Sequence, residues 1–225
     1  MAPLINGLED KRTEDHINSV GSDACRAKII EFQRNVLKNR ASILGEISNY
    51  AAAKNMSFTE LSMDEALEYA VLEFPFSFWQ WGGNCDEIPA ENATSAAMFN
   101  YINDIVGISF YNDQTYTELL PSYYQHLTEL GYYGFDTTPV KDLLKFGHNP
   151  THSRFAPKNV DLTYTPNHIN EVRVFVENKG NKILYVYGEY DPWGRCAPNP
   201  TPHVSVLNTG SKEGSLKIGA NDFAV

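Results

Sequence analysis

The sequence predicts a mainly α chain with a small α/β part toward its C-terminal end. Three observations carry this reading. From residue 22 to about 147, apolar residues recur at helical spacing. Residues 183–187, Ile-Leu-Tyr-Val-Tyr, are β-branched and aromatic with no helical period, which reads as a buried strand. Between them, residues 148–166 are rich in Pro, Asn, Thr and Ser and read as a connection.

The elements follow in order. In 22–54, Cys25, Ile29, Phe32, Val36, Ile43, Ile47 and Tyr50 share one face of a long helix, with Asp23 at its start. Ser62-Met-Asp-Glu65 is a capping-box sequence, and a second helix runs from it through Leu67, Ala70 and Val71 to Phe74, ended by Pro75. A third covers 94–106, closed by Gly107. A fourth covers 115–130, with Pro121 inside or dividing it and Gly131 ending it. A shorter helical piece is expected over 140–145. Pro166 opens a further helix capped by Thr165, with Ile169, Val172, Phe175 and Val176 on its apolar face. Gly180 and Asn181 turn into the strand at 183–187, and a second strand is expected over 215–218. One or two strands do not make an α/β domain, because a parallel sheet needs neighbours and helices on both faces.

Composition narrows the function classes. With 18 basic and 28 acidic residues the net charge is −10, which repels phosphate backbones and argues against nucleic acid as a partner. No apolar run approaches the ~18 residues that would span a bilayer, so no membrane partner is expected. The N-terminus has neither a basic region nor a long apolar core, and it is not read as a signal peptide. Cys25, Cys85 and Cys196 are odd in number and far apart, and are expected to form neither a disulfide framework nor a zinc pattern. His148 and His152 have ligand spacing, but Pro150 between them opposes a helix, so no metal site is expected. No glycine-rich phosphate loop is present and no cofactor is expected. Asn55-Met-Ser and Asn92-Ala-Thr match the glycosylation acceptor pattern, which is common by chance.

The motif with the most chemistry is Gly188-Glu-Tyr-Asp191-Pro-Trp-Gly194, directly after the strand. A strand that presents one carboxylate at its end is how an α/β-hydrolase displays the acid of its triad. The competing reading is an Asp that only caps the turn before Pro192. A triad also needs a nucleophile, and the 225 residues contain no Gly-x-Ser-x-Gly elbow. No Cys lies in a Gly-flanked strand-to-helix turn either.

Three stretches carry a family resemblance. They are 183–194, the run Glu68-Tyr-Ala-Val-Leu-Glu-Phe-Pro-Phe-Ser-Phe-Trp-Gln-Trp-Gly82, and Ala2-Pro-Leu followed by Glu9-Asp-Lys-Arg12. Together they resemble the bacterial secreted tripeptidyl aminopeptidases, proline-preferring serine peptidases of the α/β-hydrolase type (serine peptidase family thirty-seven). The resemblance implies a helical lid inserted into a hydrolase core, with the acid and histidine following the lid. On that reading, 1–20 is the end of a core strand and the entry to the lid. Residues 21–147 are the lid, and 148–225 are an incomplete C-terminal piece of the core. The N-terminal half of the hydrolase would be missing as a partner, along with the nucleophile and signal peptide, and the parent enzyme would be secreted or periplasmic.

The resemblance also implies site residues. Asp191 would be the triad acid. Phe78, Trp79 and Trp81 would form an aromatic wall suited to a proline ring, although a buried core cluster is the plainer account of these side chains. Glu73, beside that run, would take the ammonium group of peptide substrate N-termini, and Glu68 lies nearby. The family ends its last strand in a Gly-Asn-His turn, whereas the comparable stretch here is Ile218-Gly-Ala-Asn-Asp222. A carboxylate is a far weaker base than imidazole toward a Ser hydroxyl. His203, 12 residues after Asp191, is the other candidate base. The chain by itself is therefore expected to be inactive. The alternative is a non-catalytic helical peptide-binding or assembly module.

Overall fold

The computed structural model describes residues 11–146, 153–181 and 183–196, together with the strand backbone of 204–209. Seven α-helices and two strands lie among these residues, so the chain is mainly helical. The helices are α1 (Lys11–Ile17), α2 (Asp23–Lys38), α3 (Arg40–Lys54), α4 (Met63–Gln80), α5 (Ser95–Ile105), α6 (Asp113–Gln125) and α7 (Asn167–Lys179). The strands are β1 (Ile183–Gly188) and β2 (Val204–Thr209).

The expected helix over 22–54 is two helices. The break is at Asn39, whose amide Nδ2 donates to the Asn35 carbonyl one turn back. Asn competes with the helix for its own backbone in this way. The face Cys25, Ile29, Phe32, Val36, Ile43 and Ile47 is nonetheless buried as expected. The seven-residue gap between Val36 and Ile43 spans the break.

Pro75 does not end α4, contrary to the sequence reading; the helix runs on to Gln80. Proline has no N–H for the carbonyl four residues before it, here Val71. The Gln33 side chain, from α2, donates to that carbonyl at 2.6 Å in the buried interior. A neighbouring helix thus replaces the lost bond. The capping box Ser62/Glu65 forms as the sequence implied. Thr94 caps α5 through the Ala97 N–H.

Asn112 caps α6, which carries Pro121 inside it and widens into a π-turn over His126–Leu130 before Gly131 at φ 81°. Residues 140–145 hold only a 3-10 turn, Lys141–Leu143. Pro166 occupies the N-cap of α7, with no side-chain cap bond from Thr165.

Cys25 and Cys85 form a disulfide, with Cα atoms 5.5 Å apart, correcting the expectation of unpaired thiols. Their separation of 60 residues hid the pair, since spacing alone says nothing about which helix ends meet. At Gly21, φ is +70° and a Cβ would come within 2.3 Å of the Trp79 ring, so the turn into α2 requires glycine.

The main hydrophobic core runs from Ile17 to Phe155 across the helices. A small second cluster holds Val176 and Tyr185, with Ile183 and Tyr187 against it. β1 and β2 pair in parallel, Ile183 opposite Val204 and Gly188 opposite Thr209. The second strand is thus 204–209, and the expected strand at 215–218 lies outside the described residues, as do Ala2-Pro-Leu, His148 and His152.

Candidate functional site

The aromatic segment of α4 divides between core and cavity. Phe78 is 0% and Trp79 5% exposed. Phe78 packs edge-on against Trp79, whose indole stacks on Tyr190. Neither lines the cavity beside Glu73, so the plainer core account describes their placement. Trp81 is 65% exposed and does line it. Glu73, Ser77 and Gln80 share one helix face, at spacings of four and three, and Trp81 reaches the cavity from the C-cap position where α4 ends.

That cavity holds about 270 Å³ and is walled largely by aromatic rings, Tyr111, Tyr123, Tyr132, Tyr133 and Trp193 among them. Glu73 is the only carboxylate among the described lining residues, and no Lys, Arg or His accompanies it. The Tyr133 hydroxyl donates to Glu73 Oε2 at 2.5 Å, and Ser77 adds a second hydrogen bond. Burial among the rings pushes the Glu73 carboxyl up to about 7, against the lowering effect of both hydroxyls. Burial likewise holds the Tyr111 and Tyr133 phenols well above their usual range, so they remain neutral donors. A half-ionised carboxylate in an aromatic box, ringed by hydroxyls and free of competing cations, suits one cationic ligand group.

Glu68 has another task. It is 0% exposed and pairs with the buried Arg40 guanidinium, which also meets Asp64 and the Leu143 carbonyl. Glu68 Oε1 accepts the Lys145 N–H at 2.7 Å, and Oε2 the Phe146 N–H at 3.3 Å. These bonds hold the 141–146 segment against α4 and keep Glu68 out of the cavity.

Asp191 lies three residues beyond the carboxyl end of β1, in the turn that leads into the 3-10 segment Pro192–Cys196. Its backbone N–H donates to Gly188 and its carbonyl accepts from Gly194, so the turn is closed on both sides. Oδ1 accepts the Trp193 N–H at 3.0 Å, which is the turn-capping role the sequence allowed. Burial raises the carboxyl above the ordinary Asp value, opposed by that hydrogen bond. The Trp193 ring meets Tyr133 edge-on at 4.7 Å. A continuous path therefore runs from Asp191 through Trp193 and Tyr133 to Glu73.

Sequence reasoning missed Tyr133 and Trp193, although the latter follows Asp191-Pro directly. His203 and Asp222 lie outside the described residues. Val204, the neighbour of His203 in the chain, pairs with Ile183, at the far end of β1 from Asp191. Among the described residues no cluster of His, Cys, Asp and Glu could hold a metal ion. No described helix is long and apolar enough to cross a membrane.

The family model described as PS-10 peptidase S37 matches residues 3–199. A prolyl tri/tetrapeptidyl aminopeptidase of Streptomyces mobaraensis is 31% identical over 193 residues. That alignment covers 84% of this chain and 40% of the relative, so the chain spans well under half the length of the protein it matches. No solved structure matches.

Proposed function

Because the chain belongs to the PS-10 peptidase S37 family, we propose that it forms the helical lid and acid-bearing edge of a serine-type tripeptidyl aminopeptidase of the α/β-hydrolase kind. One observation carries this reading. The ammonium-accepting cavity and the Asp191 turn share Trp193, which hydrogen-bonds the acid and walls the cavity. An aminopeptidase needs its amine acceptor set at a fixed distance from the scissile bond, and a shared wall fixes it.

In this mechanism Glu73, ionised by the arriving ammonium group, pairs with the substrate N-terminus. Trp81 and the tyrosines enclose the first residues in apolar surface. Asp191 orients the imidazole of the triad and stabilises it when it takes the nucleophile's proton. The 225 residues carry no Gly-x-Ser-x-Gly elbow, so on this reading the nucleophile belongs to the remainder of a hydrolase core, and His203 and Asp222 stay candidates for the base beside a His of that remainder. The sheet edges that no other described strand covers and the exposed α7 face are where that remainder would pack. The Cys25–Cys85 disulfide agrees with a secreted or periplasmic setting.

The test is binding, because the chain alone is expected to be inert toward Ala-Ala-Pro chromogenic substrates and fluorophosphonates. Ala-Ala-Pro-amide should bind in calorimetry at about pH 8, and its N-acetylated form should not. Glu73→Gln should abolish the difference. Equal binding of the free and acetylated peptides would sink the reading. Binding of helical partner proteins with no amine preference would favour a non-catalytic module instead.

A further inference from the structure

A buried histidine outside the cavity joins the two ends of the described chain. α1 packs on the Pro192–Cys196 segment. His16, on α1, is buried, and its Nδ1 lies 3.0 Å from Arg195 Nε, across 179 residues of sequence. The guanidinium keeps all its protons at any ordinary pH. Arg195 must therefore be the donor, and Nδ1 must present its lone pair. The ring's single proton then sits on the buried Nε2, with the Glu189 backbone as the hydrogen-bonding neighbour of the ring.

We propose that His16 is a positioning residue for the Asp191 turn, a neutral latch that holds Arg195 and lets it go when the imidazole is protonated. A second proton would fall on Nδ1, replacing the acceptor with a donor and setting two cations against each other. The charged groups facing the ring are Arg195 from the 3-10 segment and Glu189 from the turn after β1, whose backbone also lies against it. Arg12 stands one turn earlier on α1 itself. The α4 surface near the neighbouring Ile17 is uncharged, with Leu72, Pro75, Phe76 and Trp79. Burial and Arg195 hold the His16 pKa below its usual value, with Glu189 opposing them.

Releasing Arg195 matters because of what the turn carries. The same short segment holds Asp191 and the Trp193 ring against Tyr133. Other ties of the segment include the Gly188 and Gly194 backbone bonds, the Tyr190–Trp79 stack and the contacts of the Trp193 ring with Tyr132 and Tyr133. That the latch serves a catalytic acid rests on the reading of Asp191 given above; that the latch exists does not.

Two measurements on the chain as it is test this. Long-range 15N–1H NMR of the His16 ring, assigned by difference with His16→Asn, should show a bare Nδ1 and a protonated Nε2 at about pH 8. Hydrogen exchange of peptides covering 188–196, corrected for intrinsic rates, should lose protection on the order of tenfold between about pH 8 and pH 5. His16→Asn, whose Oδ1 accepts from Arg195 without titrating, should hold its protection flat across that range. Arg195→Gln should be loose at both ends. A protonated Nδ1 at pH 8 overturns the latch in the wild-type protein, with no variant needed. So does a His16→Asn protein whose protection falls with pH as the wild type's does. If the latch passes while amine-specific peptide binding fails, the peptidase reading falls alone.

Discussion

Glu73 is an ionisable group held where its charge is costly, and the fold must gain by keeping it protonated. Its carboxyl is raised to about 7 by burial. A raised carboxyl stabilises the folded state fully below the unfolded value, and that contribution disappears as pH rises through about 7. Glu73→Gln, which cannot ionise, should therefore leave the melting temperature nearly unchanged at about pH 4 and raise it at about pH 8, by an amount worth up to about 3 kcal/mol. Thermal unfolding at the two pH values reads this directly, and an equal shift at both would mean that Glu73 is already solvated. On the proposed reading, the carboxylate serves binding at a cost to stability. The sequence singled out Glu73 by its position beside the aromatic run. It could not show that Tyr133 and Ser77 complete the site, because Tyr133 is 60 residues away and arrives only through the turn after α6.

Among the elements, α4 shows best why local rules were partly overruled. Pro75 reads as a stop because the proline ring breaks an isolated helix. Burial of α4 between its neighbours, and the Gln33 amide on the Val71 carbonyl, carry the helix past it. Gln33→Ala should leave that carbonyl unsatisfied and cost about 1–3 kcal/mol in urea unfolding. Pro75→Ala restores a backbone N–H, so the double variant should recover about 1 kcal/mol of that loss. Additive effects would mean the two groups do not share the carbonyl.

The elements that were legible have local signatures, such as the capping box at Ser62, the Thr94 cap, and the β-branched run of β1. The break at Asn39 and the extent of α4 depend on partners distant in sequence. The Cys25–Cys85 bond belongs with these. Removing it with the pair Cys25→Ala and Cys85→Ala should cost about 2–4 kcal/mol, measured by denaturant midpoint in oxidising buffer. An unchanged midpoint would show that the bond does not restrain the unfolded chain.

At the scale of the whole molecule the two hydrophobic clusters are unequal, and the difference has a consequence for solution behaviour. The helical core closes on itself, whereas α7 buries only Val176. Sequence periodicity placed Ile169, Val172, Phe175 and Val176 on one inward face. In the structure Val172 is 49%, Val174 57% and Phe175 56% exposed, and Leu184 of β1 is 42% exposed. A helix of an α/β layer buries such residues against a sheet wider than two strands. The described chain offers only β1 and β2, in parallel. Apolar side chains left open beside unpaired strand edges drive association. The chain should therefore self-associate in sedimentation velocity as concentration rises. Replacing Val172 and Phe175 by Lys should shift it toward monomer while leaving the melting of the helical core unchanged, because neither side chain belongs to that core. A wild-type chain that stays monomeric at about 100 μM, a concentration at which contacts worth some 5–6 kcal/mol become visible, would show that this face needs no cover. The proposal that the rest of a hydrolase core packs there would lose its structural support.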